Sequence, residues 1–351
     1  MASKEDTGTP VKNLLEPSRN ATVAVTDTTS FQEDYEVPFK RAFSGFREKL
    51  SPERCNQLQR EGFLVVDNFL GRPWALAMRQ EMQWLNNTGL MLPNETQFSH
   101  PDGRPPQRFS KPNVYEVDLH DKVLRENRVP ELGALFHQEE LGEVLAEGIP
   151  GMRLCRGTQG RTVKLQRNAG FGGCFPYHYD NPGLPNKRAL TCLLYLNPDW
   201  QEGDGGEMCL LPFLERERCI EPLHDRLVVF CSDRVLHRVL PCQTERYVVT
   251  VWLDSPDVNS KADSTLSISK SQLDDWMGFC EYLKRSPVQR VLSRGVYEER
   301  YAQSLQECMV GERGFEEMLN AHETMVTGLK ANRSLYAIIK RLRDTAALAE
   351  M

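Results

Sequence analysis

Residues 225–252 read DRLVVFCSDRVLHRVLPCQTERYVVTVW, and this stretch decides the fold. Residues 226–231 and 247–252 are rich in β-branched and aromatic side chains, which is typical of buried strands. A proline between the two runs marks a turn. We therefore predict a hairpin centred on that turn, in which His237 lies roughly opposite Arg246.

A second stretch, Gly170–Asn197, carries the sequence His178-Tyr179-Asp180. Side chains alternate faces along a strand, so His178 and Asp180 point the same way. A lone His-x-Asp pair occurs by chance in many chains, but His237 offers a third ligand from another strand. Two histidines and one carboxylate form the ligand set of a mononuclear non-haem iron site.

Arg246 faces inward in the predicted strand, together with Val248, Thr250 and Trp252. A buried charge without a partner is very costly, so this arginine requires an anion. A carboxylate fits the planar fork of a guanidinium. Tyr195, on the neighbouring apolar run, is placed to donate a hydrogen bond to the same anion.

Taken together, these stretches resemble the prolyl 4-hydroxylase branch of the iron(II)/2-oxoglutarate dioxygenases, and most of all the hypoxia-inducible-factor prolyl hydroxylases and their protist relatives. The resemblance covers about residues 60–254. The matching motifs are Gly62-x-x-Val65-Val66-Asp67-x-Phe69-Leu70-Gly71, Gly160-Arg161-Thr162, His178-x-Asp180-Asn181-Pro182, Arg188-x-x-Thr191-Cys192-x-x-Tyr195-Leu196-Asn197-x-Asp199-Trp200, Gly205-Gly206, Asp225-Arg226-Leu227, Ser232-Asp233-Arg234, His237, and Arg246-Tyr247-x-x-Thr250-Val251-Trp252.

This resemblance implies an enzyme that uses iron(II), 2-oxoglutarate, O2 and ascorbate. Its iron ligands would be His178, Asp180 and His237. The implied reaction hydroxylates a C–H bond and releases succinate and CO2. The implied partner is a protein or peptide that contains proline.

For the cosubstrate, the resemblance implies that Arg246 binds the distal carboxylate of 2-oxoglutarate and that Tyr195 and Thr250 assist. It places Arg188 near the mouth where substrate enters. The chain also departs from the family. Many relatives have a tyrosine nine or ten residues before the first histidine, and none stands in residues 166–171 here.

The fold class expected from the resemblance is α+β, with a double-stranded β-helix (jelly-roll or cupin-like) core, flanking helices and a C-terminal helical extension. We predict three parts: a disordered tail over residues 1–40, the dioxygenase domain over 41–257, and the helical extension over 258–351. The extension either caps the barrel by packing against it or presents a dimer or partner surface, and the first interpretation is favoured.

Three local predictions can be compared with a structure. Residues 72–86 form a helix with one apolar face. Residues 88–113 contain five prolines and form a loop, which either helps to hold substrate at the site mouth or is a plain surface excursion. The ten cysteines never occur as Cys-x-x-Cys, so a structural zinc module is not indicated, and free thiols are expected.

The charge and composition of the chain argue against two kinds of partner, nucleic acids and membranes. A formal net charge of -6 does not predict nucleic-acid binding. No apolar run approaches the roughly 20 residues that span a bilayer, so a membrane partner is not expected. The first residues lack the apolar core of a signal peptide, which predicts a protein of the cytoplasm, or of the cytoplasm and nucleus.

Three functions are compatible with these observations. The leading one is a protein hydroxylase that acts on a prolyl residue. The second is the same oxidation of a small molecule or of another side chain, which the fold cannot distinguish from the first. The third is a non-catalytic β-barrel that serves as a binding scaffold, although a scaffold has no need of the ligand set together with Arg246.

Overall fold

Strands dominate the middle of the chain in the computed structural model, which describes residues 45–98, 105, 107–183, 185–257 and 268–350. The predicted tail over residues 1–40 lies outside this part of the chain. The strands are β1 Phe63–Val66, β2 Leu92–Phe98, β3 Gln107–Asp118, β4 Arg161–Asn168, β5 Gly173–His178, β6 Arg188–Tyr195, β7 Met208–Pro212, β8 Arg218–Ile220, β9 Arg226–Cys231, β10 Val235–Cys242 and β11 Arg246–Asp254.

Two antiparallel sheets hold these strands. The larger has the order β1-β9-β6-β11-β4-β3-β2, and the smaller has the order β5-β10-β7-β8. Strands of both sheets contribute to one buried apolar core. Successive strands alternate between the two sheets along much of the chain. This arrangement is the predicted double-stranded β-helix, and the predicted α+β class is correct.

The predicted hairpin is wrong. β10 pairs with β5 and β7, whereas β11 pairs with β4 and β6, so the two strands belong to different sheets. Tight hairpin turns favour sequences such as Asn-Gly, which supply a positive φ. The link Gln243–Glu245 has no such residue, and it carries the chain from one sheet to the other. His237 and Arg246 are therefore not cross-strand neighbours.

The predicted loop over residues 88–113 is also wrong in part, because β2 and β3 pair there at the edge of the larger sheet. Proline is tolerated in edge strands and at bulges. Pro93 lies in the edge strand β2, and Pro112 lies where the β2–β3 register shifts. Several of the residues between the two strands are outside the described part of the chain.

Helices lie before, between and after the strands in the sequence. They are α1 Phe46–Lys49, α2 Pro52–Glu61, α3 Arg72–Asn87, α4 Lys122–Asn127, α5 Pro130–His137, α6 Glu140–Gly148, α7 Lys270–Asp274, α8 Trp276–Arg285, α9 Gln289–Val296, α10 Glu298–Met309, α11 Phe315–Ala331 and α12 Arg333–Glu350. The predicted helix over residues 72–86 is confirmed, with its apolar face buried.

The C-terminal helices pack on the smaller sheet. Leu211, Phe213 and Leu236 of the barrel share one buried cluster with Phe279 and Leu292 of the helices. This bears out the packing interpretation of the extension. The proposed domain boundary at residue 257 stays a prediction.

Four of the ten cysteines contradict the prediction of free thiols. Cys174 is bonded to Cys308, and Cys209 is bonded to Cys219. The second pair joins residues that lie directly opposite each other on β7 and β8. The fold brings the two cysteines of each pair together. The spacing of cysteines in the sequence does not reveal which of them pair. Among the described residues, no helix is both long and apolar enough to cross a bilayer.

Candidate metal centre and active site

Two paired strands of the smaller sheet carry the candidate histidines. His178 ends β5, and its Cα partner on β10 is His237. Asp180 follows β5 by two residues. The Nε2 atoms of His178 and His237 lie 3.6 Å and 3.7 Å from Oδ1 of Asp180. One ligand atom from each of the three residues lies within 4.8 Å of the other two.

The backbone fixes which nitrogen each histidine presents. Nδ1 of His178 lies 2.8 Å from the carbonyl oxygen of Pro176, and Nδ1 of His237 lies 3.1 Å from that of Val235. A carbonyl oxygen only accepts, so Nδ1 carries the proton in both rings. The lone pair on Nε2 is thus free in both and faces Asp180. Such outer hydrogen bonds orient metal-binding histidines.

The two carboxylate oxygens of Asp180 have different partners. Oδ2 accepts from the Thr191 hydroxyl at 2.7 Å and from the Trp252 indole N–H at 2.9 Å. Thr191 and Trp252 are directly paired on β6 and β11. Oδ1 is left for the two histidines. Burial alone would raise the pKa of Asp180, but His237 and His178 outweigh it and hold that pKa well below its ordinary value.

His178 is kept neutral. Burial lowers its pKa first, and the neighbouring His237 lowers it further. A neutral imidazole beside an ionised carboxylate is the protonation state that a divalent metal requires. Nitrogen and oxygen ligands lie about 2.1 Å from such an ion, so they are about 3 to 4 Å from one another. The two measured Nε2–Oδ1 separations fall in this range.

A cavity of about 700 Å³ opens over these ligands, and Arg246 lies on its wall. Arg246 is 3% exposed, and it forms no ion pair with any residue that the structure describes. Its Nε, the Tyr195 hydroxyl and the Thr250 hydroxyl are all buried without a hydrogen-bond partner. The Arg246 guanidinium lies 4.9 Å from the centre of the Tyr195 ring. Arg246 and Thr250 line the cavity, and Tyr195 lies against Arg246, so this wall of the cavity favours an anionic ligand.

Arg188 also lines the cavity. Its guanidinium stacks 3.8 Å from the centre of the Trp252 ring, and its Nη1 lies 3.4 Å from the Asp180 carbonyl oxygen. Gln166 lines the same cavity in the segment that lacks the tyrosine found in many relatives.

Sequence reasoning missed part of this cavity. Lys111 and Asn94 line it from the β2–β3 ladder, at the point where the register shifts. Bulges near active sites often redirect side chains. Lys111 lies over the Phe175 ring at 4.1 Å, and burial lowers its pKa to about 8. A bulge leaves no clear mark in a sequence, so Lys111 was not identifiable from its pattern. Trp252 was identifiable, since it shares a strand face with Arg246.

Comparison with known proteins agrees with this geometry. A sequence profile of the 2OG-Fe(II) oxygenase superfamily matches residues 163–254. A crystal structure of a prolyl 4-hydroxylase from Phytophthora capsici is 49% identical, covers 91% of this chain, is itself covered to 99%, and superposes with a TM-score of 0.78. The chain belongs to the prolyl 4-hydroxylase family of the 2OG-Fe(II) oxygenases.

More distant members of this family match only in part. Egl nine homolog 1 of Rattus norvegicus is 29% identical over 215 residues, which make up 58% of this chain and 59% of that protein. The hypoxia-inducible factor prolyl hydroxylase of Caenorhabditis elegans is 28% identical over 206 residues, which make up 57% of this chain and 28% of that protein. The chain therefore spans less than two thirds of the length of these curated relatives.

The 2OG-Fe(II) oxygenase family uses iron(II), 2-oxoglutarate and O2. The described residues fit both the metal and the cosubstrate. The lowered pKa values of His178 and Asp180 favour the neutral imidazole and the ionised carboxylate that iron needs. The unpaired donors around Arg246 match a carboxylate. Iron held by three protein ligands keeps further positions open for small molecules.

Proposed function

We propose that this protein is an Fe(II)- and 2-oxoglutarate-dependent dioxygenase that hydroxylates a prolyl residue of a protein or peptide. In the overall reaction, the prolyl C–H bond, O2 and 2-oxoglutarate give hydroxyproline, succinate and CO2. The observation that carries the proposal is the buried Arg246, which has no ion-pair partner among the described residues and lines the same cavity as His178, Asp180 and His237. Ascorbate as a reductant and a cytoplasmic location are part of the proposal.

His178, Asp180 and His237 would hold the iron, each through one atom. When bound, iron and 2-oxoglutarate together supply the oxidising power for the C–H bond. The protein's own contribution is positioning and exclusion of water. Thr191 and Trp252 fix the orientation of Asp180 through its Oδ2 atom. The Nδ1 hydrogen bonds hold Nε2 of both imidazole rings near Asp180, where these residues would bind the iron.

Arg246 would bind the distal carboxylate of 2-oxoglutarate through its fork, and Tyr195 and Thr250 would donate to the same group. Binding there removes the cost of three buried unpaired donors. Arg188 is held against Trp252 on the cavity wall, and we propose that it contacts substrate near the mouth. These roles rest on the geometry and on the family likeness.

Substitution of the ligands tests the metal assignment. His237→Ala and Asp180→Ala are each expected to abolish succinate release, because each removes one of three iron ligands. Purified variants are assayed with iron, ascorbate and 2-oxoglutarate, and their iron content is measured in parallel. A variant with normal iron content and normal turnover would refute the ligand assignment.

Arg246→Ala tests the cosubstrate assignment separately. A hydrogen bond to a charged group contributes about 2 to 3 kcal/mol, so the KM for 2-oxoglutarate is expected to rise roughly 30- to 150-fold. Arg246→Lys keeps the charge without the fork and is expected to give an intermediate KM. An unchanged KM in Arg246→Ala would remove this residue from the role.

Mass spectrometry of hydroxyproline in candidate proteins then separates prolyl hydroxylation from oxidation of other targets.

A further inference from the structure

A second cavity, of about 560 Å³, opens beside the metal ligands. His178, Tyr179 and Pro182 line both this cavity and the one over the metal site. The opposite wall comes from α9, α10 and α11, in the C-terminal helices. The two cavities therefore adjoin at these three residues, and the second one lies between them and the C-terminal helices.

Apolar side chains line much of this second cavity, and several of them are exposed. Met325 on α11 is 55% exposed and Val291 on α9 is 38% exposed. Leu329 and Pro182 complete the apolar wall. Exposed apolar side chains that cluster at a groove mark binding surfaces.

Two arginines give this groove its charge. Arg290 and Arg294 are one turn apart on α9, and both line the groove. Arg290 donates to the Asn181 carbonyl oxygen at 3.0 Å. Arg294 lies 3.2 Å from Nδ1 of His322 and stacks 4.5 Å from the centre of the Tyr301 ring. Neither guanidinium forms an ion pair with a carboxylate of the described residues.

These two cations stand out in a chain whose formal net charge is -6. Most of the half-buried arginines elsewhere in the described part of the chain are paired, as Arg300 is with Glu217 and Arg343 with Glu298. Guanidinium groups in a partly desolvated groove favour carboxylate partners. The missing carboxylates are best supplied by a ligand.

We propose that this groove binds the part of the substrate peptide that flanks the target proline, and that Arg290 and Arg294 select an acidic side chain next to an apolar one. The proposal rests on the proposed function, because it requires a peptide substrate. It goes beyond the family profile, since the two arginines lie outside residues 163–254. Charge complementarity and the three lining residues shared with the metal-site cavity argue for this occupant.

The experiment uses synthetic peptides that contain one proline among alanine and leucine residues, with a single Glu moved through the flanking positions. Each Glu peptide has a Gln twin. Binding is measured by fluorescence anisotropy on the full chain loaded with Mn²⁺ and 2-oxoglutarate, so that no turnover is needed. Hydroxyproline formation is measured in parallel with iron.

We expect Glu at one or two positions on one side of the proline to bind at least 10-fold more tightly than Gln. Arg294→Gln is expected to reduce this preference to less than 3-fold, and Arg294→Glu to favour Lys at the same position. Arg333→Gln, at an exposed arginine on α12, is the matched control and should leave the preference unchanged. Arg290→Gln is a second test of the groove.

Equal binding of all Glu and Gln twins would overturn the groove proposal. So would an acidic preference that survives in both Arg294→Gln and Arg290→Gln. Failure of the proposed function gives a different result, in which Glu peptides bind selectively but none gains hydroxyproline. Binding therefore decides the groove, and product formation decides the reaction.

Discussion

Asp180 shows how much of this site depends on single atoms. Its Oδ2 atom is held by Thr191 and Trp252, and only Oδ1 faces the two histidines. The Thr191 hydroxyl lies 2.8 Å from the Ser232 hydroxyl as well. Since Thr191 has one proton and donates it to Asp180, Ser232 must donate to Thr191. A short chain of hydroxyls thus fixes the carboxylate before any metal binds.

Thr191→Val tests this orientation, because it removes the hydroxyl and preserves the shape of the side chain. We expect iron affinity to fall about 10- to 100-fold, as is typical when an outer partner of a metal ligand is lost. Titration calorimetry with Fe²⁺ under anaerobic conditions measures the affinity without turnover. Thr191→Ser retains the hydroxyl and should bind iron nearly as well as the unsubstituted chain. Equal affinity in Thr191→Val would show that Asp180 needs no such support.

At the scale of strands, local pattern predicts faces well and pairing poorly. Alternation along β11 correctly placed Arg246, Thr250 and Trp252 on the cavity side. The partner of a strand, however, is chosen by contacts far away in the chain. His237 was assigned a hairpin partner on the next strand, but its true partner is His178, 59 positions earlier by the numbering of the sequence. The candidate metal ligands were identifiable because they depend on residue type and on the strand face. The sheet to which each strand belongs was not identifiable.

The glycine-rich turn before β7 supports the Arg246 side of the site. Gly206 has a φ of 78°, and a Cβ added there would lie 2.8 Å from Cδ of Arg246. Gly206→Ala should therefore displace the guanidinium and raise the KM for 2-oxoglutarate several-fold, with iron affinity unchanged. Gly203→Ala is the matched control, because Gly203 also has a positive φ, of 97°, and an added Cβ meets nothing within 4 Å.

Both alanine variants carry a left-handed backbone cost of about 1 to 2 kcal/mol, so both should lower the melting temperature. Only the KM distinguishes them. Steady-state kinetics over a range of 2-oxoglutarate concentrations measures it. If both variants raised the KM equally, backbone strain rather than contact with Arg246 would be the cause.

Across the whole molecule, the barrel and the C-terminal helices depend on each other. β5 is at the edge of the smaller sheet, and its Tyr177 N–H donates to the Ser304 hydroxyl of α10 at 3.1 Å. Leu211, Phe213 and Leu236 are covered by the same helices. An uncovered edge strand beside exposed apolar side chains is a site of aggregation. The helices therefore cover the edge of the strand that carries His178, the first candidate ligand.

A chain that ends at residue 257 tests this dependence. Loss of the helices exposes four large apolar side chains of the barrel, Tyr177 with the three named above. Each contributes about 1.5 to 3 kcal/mol when buried, or roughly 6 to 12 kcal/mol together as an upper estimate. This matches the total stability of a typical domain, about 5 to 15 kcal/mol, so the shortened chain should aggregate or lack a cooperative thermal transition. Circular dichroism and size-exclusion chromatography measure both properties. The full-length chain is the control and should unfold cooperatively. A monomeric, cooperatively folding chain ending at residue 257 would instead support the boundary predicted there and make the helices a separate unit.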